Sequence, residues 1–299
     1  MKTMGIPPAR IVPMRRGSSL ALATSTYWLS GALAVVATAA AAATLFIPGI
    51  LRGPPAMNGS ARGTALVVLV VALPLLVIAM LWAAARSVRA LILWLGAIAY
   101  LGYQAVMFTF ATPFNQLFLL YLAMFSLCFW ATIVLVRQLD IEALRARFSA
   151  SLPVRGLATY ALVIALLNAL AWLRNVVPSM LSGTAPRWLD GTGLATNPVY
   201  VQDLAFWLPL MAVGAVWLWR RQAWGYLVVG SMLTMWVIES VSIAVDQWMG
   251  SAADPASTVV SATLTPAFGV LALIGLIPFY VYFRHLHEST DSLLIRRQT

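Results

Sequence analysis

The 299-residue chain is most informative in what it lacks. It has one cysteine, Cys128, so no intramolecular disulfide and no thiolate metal cluster can form. Its one lysine, Lys2, lies in a polar N-terminal stretch, which excludes a retinal Schiff base within an apolar segment. The two histidines, His285 and His287, follow the last apolar run, so a bis-histidine haem inside the membrane is excluded. Spaced i, i+2, they do not share a helix face, and they make a poor metal site. There is no HExxH, no GxGxxG and no phosphate loop. Charge is scarce: Asp, Glu, Lys and Arg make up 9% of the residues, against about 25% in soluble domains.

In place of charge there is hydrocarbon: 62% of the residues are hydrophobic. Apolar runs of 18 or more residues recur along the whole chain, each long enough to cross about 30 Å of lipid. The net charge of +10 does not point to nucleic acid, because the basic residues fall between apolar runs and form no contiguous basic surface. The fold class is therefore all-α: a polytopic membrane helix bundle whose partner is the lipid bilayer.

Taken in order, the sequence predicts a flexible basic arm over 1–26 and spans at about 27–51, 64–85, 90–111 and 114–136. An amphipathic segment follows over 137–155, with Ile141, Leu144, Phe148 and Leu152 at helical spacing beside Arg137, Arg145 and Arg147. It reads as a surface helix connecting two four-helix halves, 27–136 and 156–283. Four further spans are expected at about 156–177, 200–219, 223–249 and 258–283, then a tail over 284–299. Residues 52–63 and 178–199, rich in Gly and Pro, read as loops. The first run has Ala-rich sites that suit a cleavable signal peptide, but it is far longer than a signal-peptide core and is read as a retained span.

Eight spans with both termini inside place 15 of the 19 basic residues on one face; only Arg52, Arg62, Arg174 and Arg187 fall on the other. That asymmetry is the charge bias of a multi-pass protein of the bacterial inner membrane, N-in and C-in.

A weak internal repeat accompanies this topology. Leu73-Pro74-Leu75, Trp82 and Arg86 align without gaps on Leu208-Pro209-Leu210, Trp217 and Arg221, at an offset of 135 that also superposes Gln104 on Glu239. A four-plus-four arrangement of parallel repeats follows, since the second and sixth spans run in the same direction.

Charged groups in hydrocarbon cost about 2.5–3.5 kcal/mol on insertion scales, so they are expected to face the bundle interior. Glu239 lies roughly 22 Å from the inner end of its span at 1.5 Å per residue. Ser242 and Asp246 share its helix face, and Trp236 continues that face inward. Asp203 enters at the outer end of the sixth span. Tyr100, Tyr103, Gln104, Asn115, Asn168 and Arg174 also fall in the outer half by this topology. The candidate ligand-binding set is Glu239, Asp203, Asp246, Gln104, Tyr103, Asn115, Asn168, Arg174 and Trp236, lining an outward-facing pocket. The structural alternative is that these groups bond to one another, with Glu239 paired to Arg174. Trp188 and Trp207 read as interfacial belt or core.

The segments NPVYVQDLAFWLP and WRRQAWGY, with RSVRALILWLGAIAYLGYQAV and FNQLFLLY, resemble a widespread family of uncharacterised bacterial multi-pass membrane proteins. The resemblance covers about residues 62–245 and implies no established activity. Such relatives carry an acidic residue early in the second span, within a GQDL-like sequence. Here RGTALVVL puts Val68 at that place, the repeat partner of Asp203, so a symmetric pair of carboxylates is not expected.

The leading functional reading is a protein that binds or transports a small polar or cationic solute, coupled to protons through Glu239. A non-transporting scaffold or sensor subunit stands second. A lipid-modifying intramembrane enzyme stands third, because no nucleophile–base pair and no metal set appears. No cofactor, no metal and no nucleic-acid partner is expected.

Overall fold

Long apolar runs must close their own backbone hydrogen bonds in lipid, and helices do so within one segment. The computed structural model describes residues 22–288. Among them, eight helices are long and apolar enough to cross a membrane: α1 (Thr24–Phe46), α2 (Pro55–Ala84), α3 (Val88–Phe110), α4 (Phe118–Gln138), α6 (Val154–Ser182), α7 (Pro198–Trp219), α8 (Ala223–Ala253) and α9 (Leu264–Arg284). A short helix, α5 (Ile141–Ala146), joins the halves. The fold is an all-α bundle of eight candidate spans. Most of the basic arm, including Lys2, Arg10, Arg15 and Arg16, lies outside the described residues, as do Arg296 and Arg297 of the tail.

The repeat is visible in the backbone. Each of α2 and α7 contains one π-helical turn, Val68–Ala72 and Asp203–Trp207, and the α-helix resumes at Leu73-Pro74 and Leu208-Pro209. All of these positions are related by 135. Proline explains the placement: it has no N–H, and its ring presses on the preceding turn. Taking in one extra residue widens that turn. The Leu73 N–H reaches back five residues to the Val68 carbonyl, and the Leu208 N–H to the Asp203 carbonyl. The carbonyls of Leu69 and Leu204 then lose both nearby donors, the leucine N–H being engaged elsewhere and the proline having none.

Both helices also end identically. Arg86 donates to Ala83 O and Ser87 to Trp82 O; Arg221 donates to Leu218 O and Gln222 to Trp217 O. This is the paired-bond helix stop that needs a left-handed residue, here Arg86 (φ 69°) and Arg221 (φ 54°) where glycine is usual. The arginines bring positive charge to the negative ends of their helices.

The halves meet through α3 and α8, the central pair. At Gly96 a Cβ would stand 2.5 Å from Thr234 Cβ and 2.8 Å from Ser231 O, so only glycine permits this approach. Ser231 is the repeat mate of Gly96. A pseudo-twofold axis thus runs between α3 and α8, along the helices.

The symmetry breaks in how each half closes over the other. α2 lies tightly along α8 through Gly59 and Gly63; a Cβ there would stand 2.5 Å from Met249 O and 2.7 Å from Asp246 Cα respectively. The corresponding residues of the second half are Leu194 and Pro198, and α7 touches α3 sparsely, chiefly through residues 198–202. Likewise α1 packs along α4, tied by Thr44 Oγ1 to Tyr121 OH at 2.8 Å and by Gln138 to Thr26, whereas α6 and α9 barely meet.

Three expectations are corrected. Residues 52–63 are not all loop: α2 begins at Pro55, because proline is tolerated in a first helical turn and the two glycines are packing positions on α8. The last span starts at Leu264, later than expected, after an irregular stretch. The connector is not one surface helix. Only Ile141–Ala146 is helical, capped by the Asp140 side chain on Ala143 N at 3.0 Å. Its apolar residues turn onto the bundle instead: Leu144 and Leu152 are buried, and Phe148 sits 4.9 Å from the Tyr226 ring and 5.0 Å from the Tyr282 ring.

That end of the bundle is tied across the halves. The Glu288 carboxylate accepts from Val88 N at 2.7 Å, from Ser87 Oγ at 2.8 Å and from Arg89 N at 3.2 Å, capping the first turn of α3. Arg89 Nη2 returns a bond to Leu286 O at 2.8 Å. Ser149 N donates to His285 O and His287 N to Arg147 O, both at 2.9 Å, joining the connector to the same strand of chain.

Candidate functional site

Among the described residues, the acidic groups of the spans fall on α8, which packs on α3, and on the π turn of α7. Gln104 on α3 is 2% exposed, and its Nε2 donates to Glu239 Oε2 on α8 at 2.6 Å. Gln104 and Glu239 are repeat mates, so this bond crosses the pseudo-twofold axis. One turn away, Tyr100 OH donates to Ser242 Oγ at 3.0 Å, both residues being buried. Asp246 accepts from Gln247 Nε2 at 3.0 Å, and Gln247 Oε1 in turn accepts from Ser261 N at 2.9 Å.

Asp203 is placed by the π turn. The widened backbone turns its carboxylate toward α6, where Trp172 Nε1 donates to Oδ2 at 2.8 Å. Tyr103 on α3 lies within hydrogen-bonding reach of the same carboxylate. The Tyr103 ring stands 6.1 Å from that of Trp207, tilted 41°, and Trp207 Nε1 donates to Gln202 Oε1 at 3.1 Å. The Tyr200 ring lies 4.4 Å from that of Trp172, tilted, and 4.0 Å from that of Trp188, edge to face.

Glu239 is near enough to Asp246 and Asp203 for their charges to act on one another. Asp203, Glu239 and Asp246 are all residues of intermediate burial. Their partners are amides, an indole and hydroxyls, all of them neutral. Among the described residues the ion pairs are Arg89–Glu288 and Arg145–Glu142, both at the arginine-rich end.

Of the sequence-derived candidates, Glu239, Asp203, Asp246, Gln104 and Tyr103 come together. The other four do not join them. Asn115 is buried in the turn before α4, where it donates to Pro113 O at 2.9 Å and accepts from Leu117 N at 2.8 Å. Arg174 is exposed on α6 and pairs with none of the three carboxylates, so the expected Glu239–Arg174 pairing gives way to Glu239–Gln104. Asn168 is half-buried on α6, and Trp236 packs on the core of α8. Trp172 and Gln202 were not foreseen. Gln202 could have been, as an amide beside Asp203 in an apolar run. Nothing in the spacing connects Trp172 to Asp203, 31 residues away and on another helix.

Chemically, the arrangement offers carboxyl groups with neutral donors and aromatic walls. Among the described residues, no three His, Cys, Asp or Glu side chains converge to hold a metal ion. No family model, no curated protein and no solved structure matches this chain.

Proposed function

We propose that this multi-pass membrane protein binds, and carries across the bilayer, a small polar or cationic solute that enters from the end of the bundle opposite the arginine-rich one. The observation that carries the reading is the trio Glu239, Asp246 and Asp203, placed so that Glu239 feels the charge of the other two, and bonded to neutral groups with no cationic partner among the described residues. Carboxylates left in a membrane without a counter-charge are costly, and a bound cation or a proton relieves that cost. The bacterial inner membrane, with both termini inside, is the setting that the arginine distribution supports.

The scaffold or sensor reading rests on the lack of a recognisable transport motif; on the connector, Leu144 and Leu152 are buried and Phe148 packs on Tyr226 and Tyr282 of the same chain. The test is a thermal-shift screen of the purified protein against a panel of small cations and neutral polar solutes. At least one cation is expected to raise the midpoint of the parent and not that of Glu239→Gln. A Glu239→Gln protein that responds like the parent to every compound sinks the proposal.

A further inference from the structure

The class of cation can be narrowed, on the footing that the site binds one. Asp203 differs from Glu239 in its surroundings. Glu239 is held by an amide across the axis, whereas Asp203 is enclosed by rings. The indole N–H of Trp172 holds one carboxylate oxygen, and Tyr103 and Trp207 form a tilted pair beside it. Rings flanking a carboxylate suit an organic ammonium ion, which binds by its charge and by contact of its alkyl groups with aromatic faces. Among the described residues, no second or third His, Cys, Asp or Glu side chain joins Asp203 to make a metal-ion set.

A second, independent observation points to the rest of the ligand. Gln202, 8% exposed, has its Oε1 fixed by Trp207 Nε1 at 3.1 Å, while its Nε2 is buried without any hydrogen-bond partner. A buried amide donor left unsatisfied is costly. The indole that fixes this amide belongs to the ring pair beside Asp203, so the vacant donor adjoins the ammonium site. An oxygen acceptor on the same ligand would satisfy it.

Access is explained by the broken symmetry. Where Gly59 and Gly63 let α2 close on α8, the equivalent Leu194 and Pro198 stand at the α7–α3 junction, and the two helices are bridged by the Tyr103 and Trp207 rings. Val201 and Phe206 face outward beside this seam.

We infer that the ring-flanked Asp203 carboxyl, where α3, α6 and α7 meet, binds an organic ammonium ion bearing an oxygen acceptor, with Asp203 as counter-ion, Tyr103, Trp172 and Trp207 as walls, and the Gln202 amide as donor to the acceptor. Such a ligand can be a free solute or the headgroup of a lipid reaching in through the α3–α7 seam.

The experiment is calorimetric titration of the full-length protein in phosphatidylglycerol nanodiscs. The probes are tetramethylammonium, phosphocholine and 3,3-dimethylbutanol, a neutral isostere of choline, with sodium, potassium and guanidinium chlorides alongside. Both ammonium probes are expected to bind and the alcohol not. Asp203→Asn and Trp207→Leu should each weaken binding about tenfold, and Trp207→Phe less. Gln202→Leu should weaken phosphocholine and leave tetramethylammonium unchanged, which separates loss of the donor from misfolding. Adding phosphatidylcholine to the nanodiscs tells the sources apart: competition with the free probe identifies a headgroup, and its absence a solute. If the ammonium probes do not bind while an inorganic or guanidinium cation binds in a Glu239-dependent way, this inference falls and the broader reading stands. If no cation binds at all, both fall. A Gln202→Leu protein that treats the two ammonium probes alike also overturns the inference.

Discussion

Gln104 and Glu239 occupy the same place in two copies of one structural unit and hydrogen-bond to each other at 2.6 Å. Equivalent residues can touch only where the axis relating them passes between them. The Gly96–Ser231 contact marks a second point on that axis. Symmetry would permit two amides or two carboxyls here. The chain has one of each, which supplies a donor to the carboxylate and makes the two halves chemically distinct at their centre.

Exchanging the two side chains should therefore largely restore what each single change removes. Gln104→Ala is expected to cost about 1 kcal/mol, since hydrogen bonds between membrane helices are modest in net value. The exchange Gln104→Glu with Glu239→Gln should lie closer to the parent than either component alone. A double-mutant cycle on detergent unfolding reads this, and strict additivity would count against direct pairing.

The close approach of α2 and α8 should not tolerate side chains. Gly59→Val and Gly63→Val place atoms within 3 Å of the α8 backbone, at Met249 O and Asp246 Cα. Overpacking of this kind costs about 1–3 kcal/mol. A fall in the thermal midpoint is expected for each, with little effect from Gly156→Val, where a Cβ meets nothing within 4 Å. Equal midpoints for all three would refute the packing argument.

Arg86 and Arg221 should rank substitutions by backbone tolerance. Left-handed backbone costs a non-glycine residue about 1–2 kcal/mol, and a β-branched residue fares worst. Unfolding of Arg86→Gly is expected to need at least as much denaturant as the parent, and Arg86→Val distinctly less. The same order should hold at Arg221. Reversal at either position would show that the charge at the helix end dominates.

Orientation can be read with thiol reagents, because the native Cys128 is buried. Ser151→Cys is expected to label from the cytoplasmic side only and Thr196→Cys from the opposite side only. Labelling of both from one side would contradict the single crossing, α6, between them.

How much of this was legible beforehand differs by level. The spans follow from hydropathy, and the Leu-Pro, Trp and Arg matches already carried the 135-residue repeat. That Gln104 and Glu239 are equivalent was readable; that they touch was not, because contact depends on where the axis lies. The π turns leave no mark in sequence except the proline that follows them. Pro55, Gly59 and Gly63 were misread as loop punctuation because their purpose, close packing on α8, is a tertiary fact. Phe148 and Leu152 were read as facing lipid, and they face Tyr226 and Tyr282 or the buried core at the base of the bundle. Periodicity reveals an apolar face and is silent on what covers it.

The Glu288 cap has a mechanical corollary. Its carboxylate grips the first turn of α3, in the first half, from the end of α9, in the second, while the connector is stitched to the same strand by Ser149 and His287. At this end the two halves are fastened like the pivot of a pair of tongs. At the far end α7 and α3 meet sparsely, through residues 198–202 and the contacts of Tyr103 with Asp203 and Trp207. To open the fastened end, the chain would first have to release Glu288.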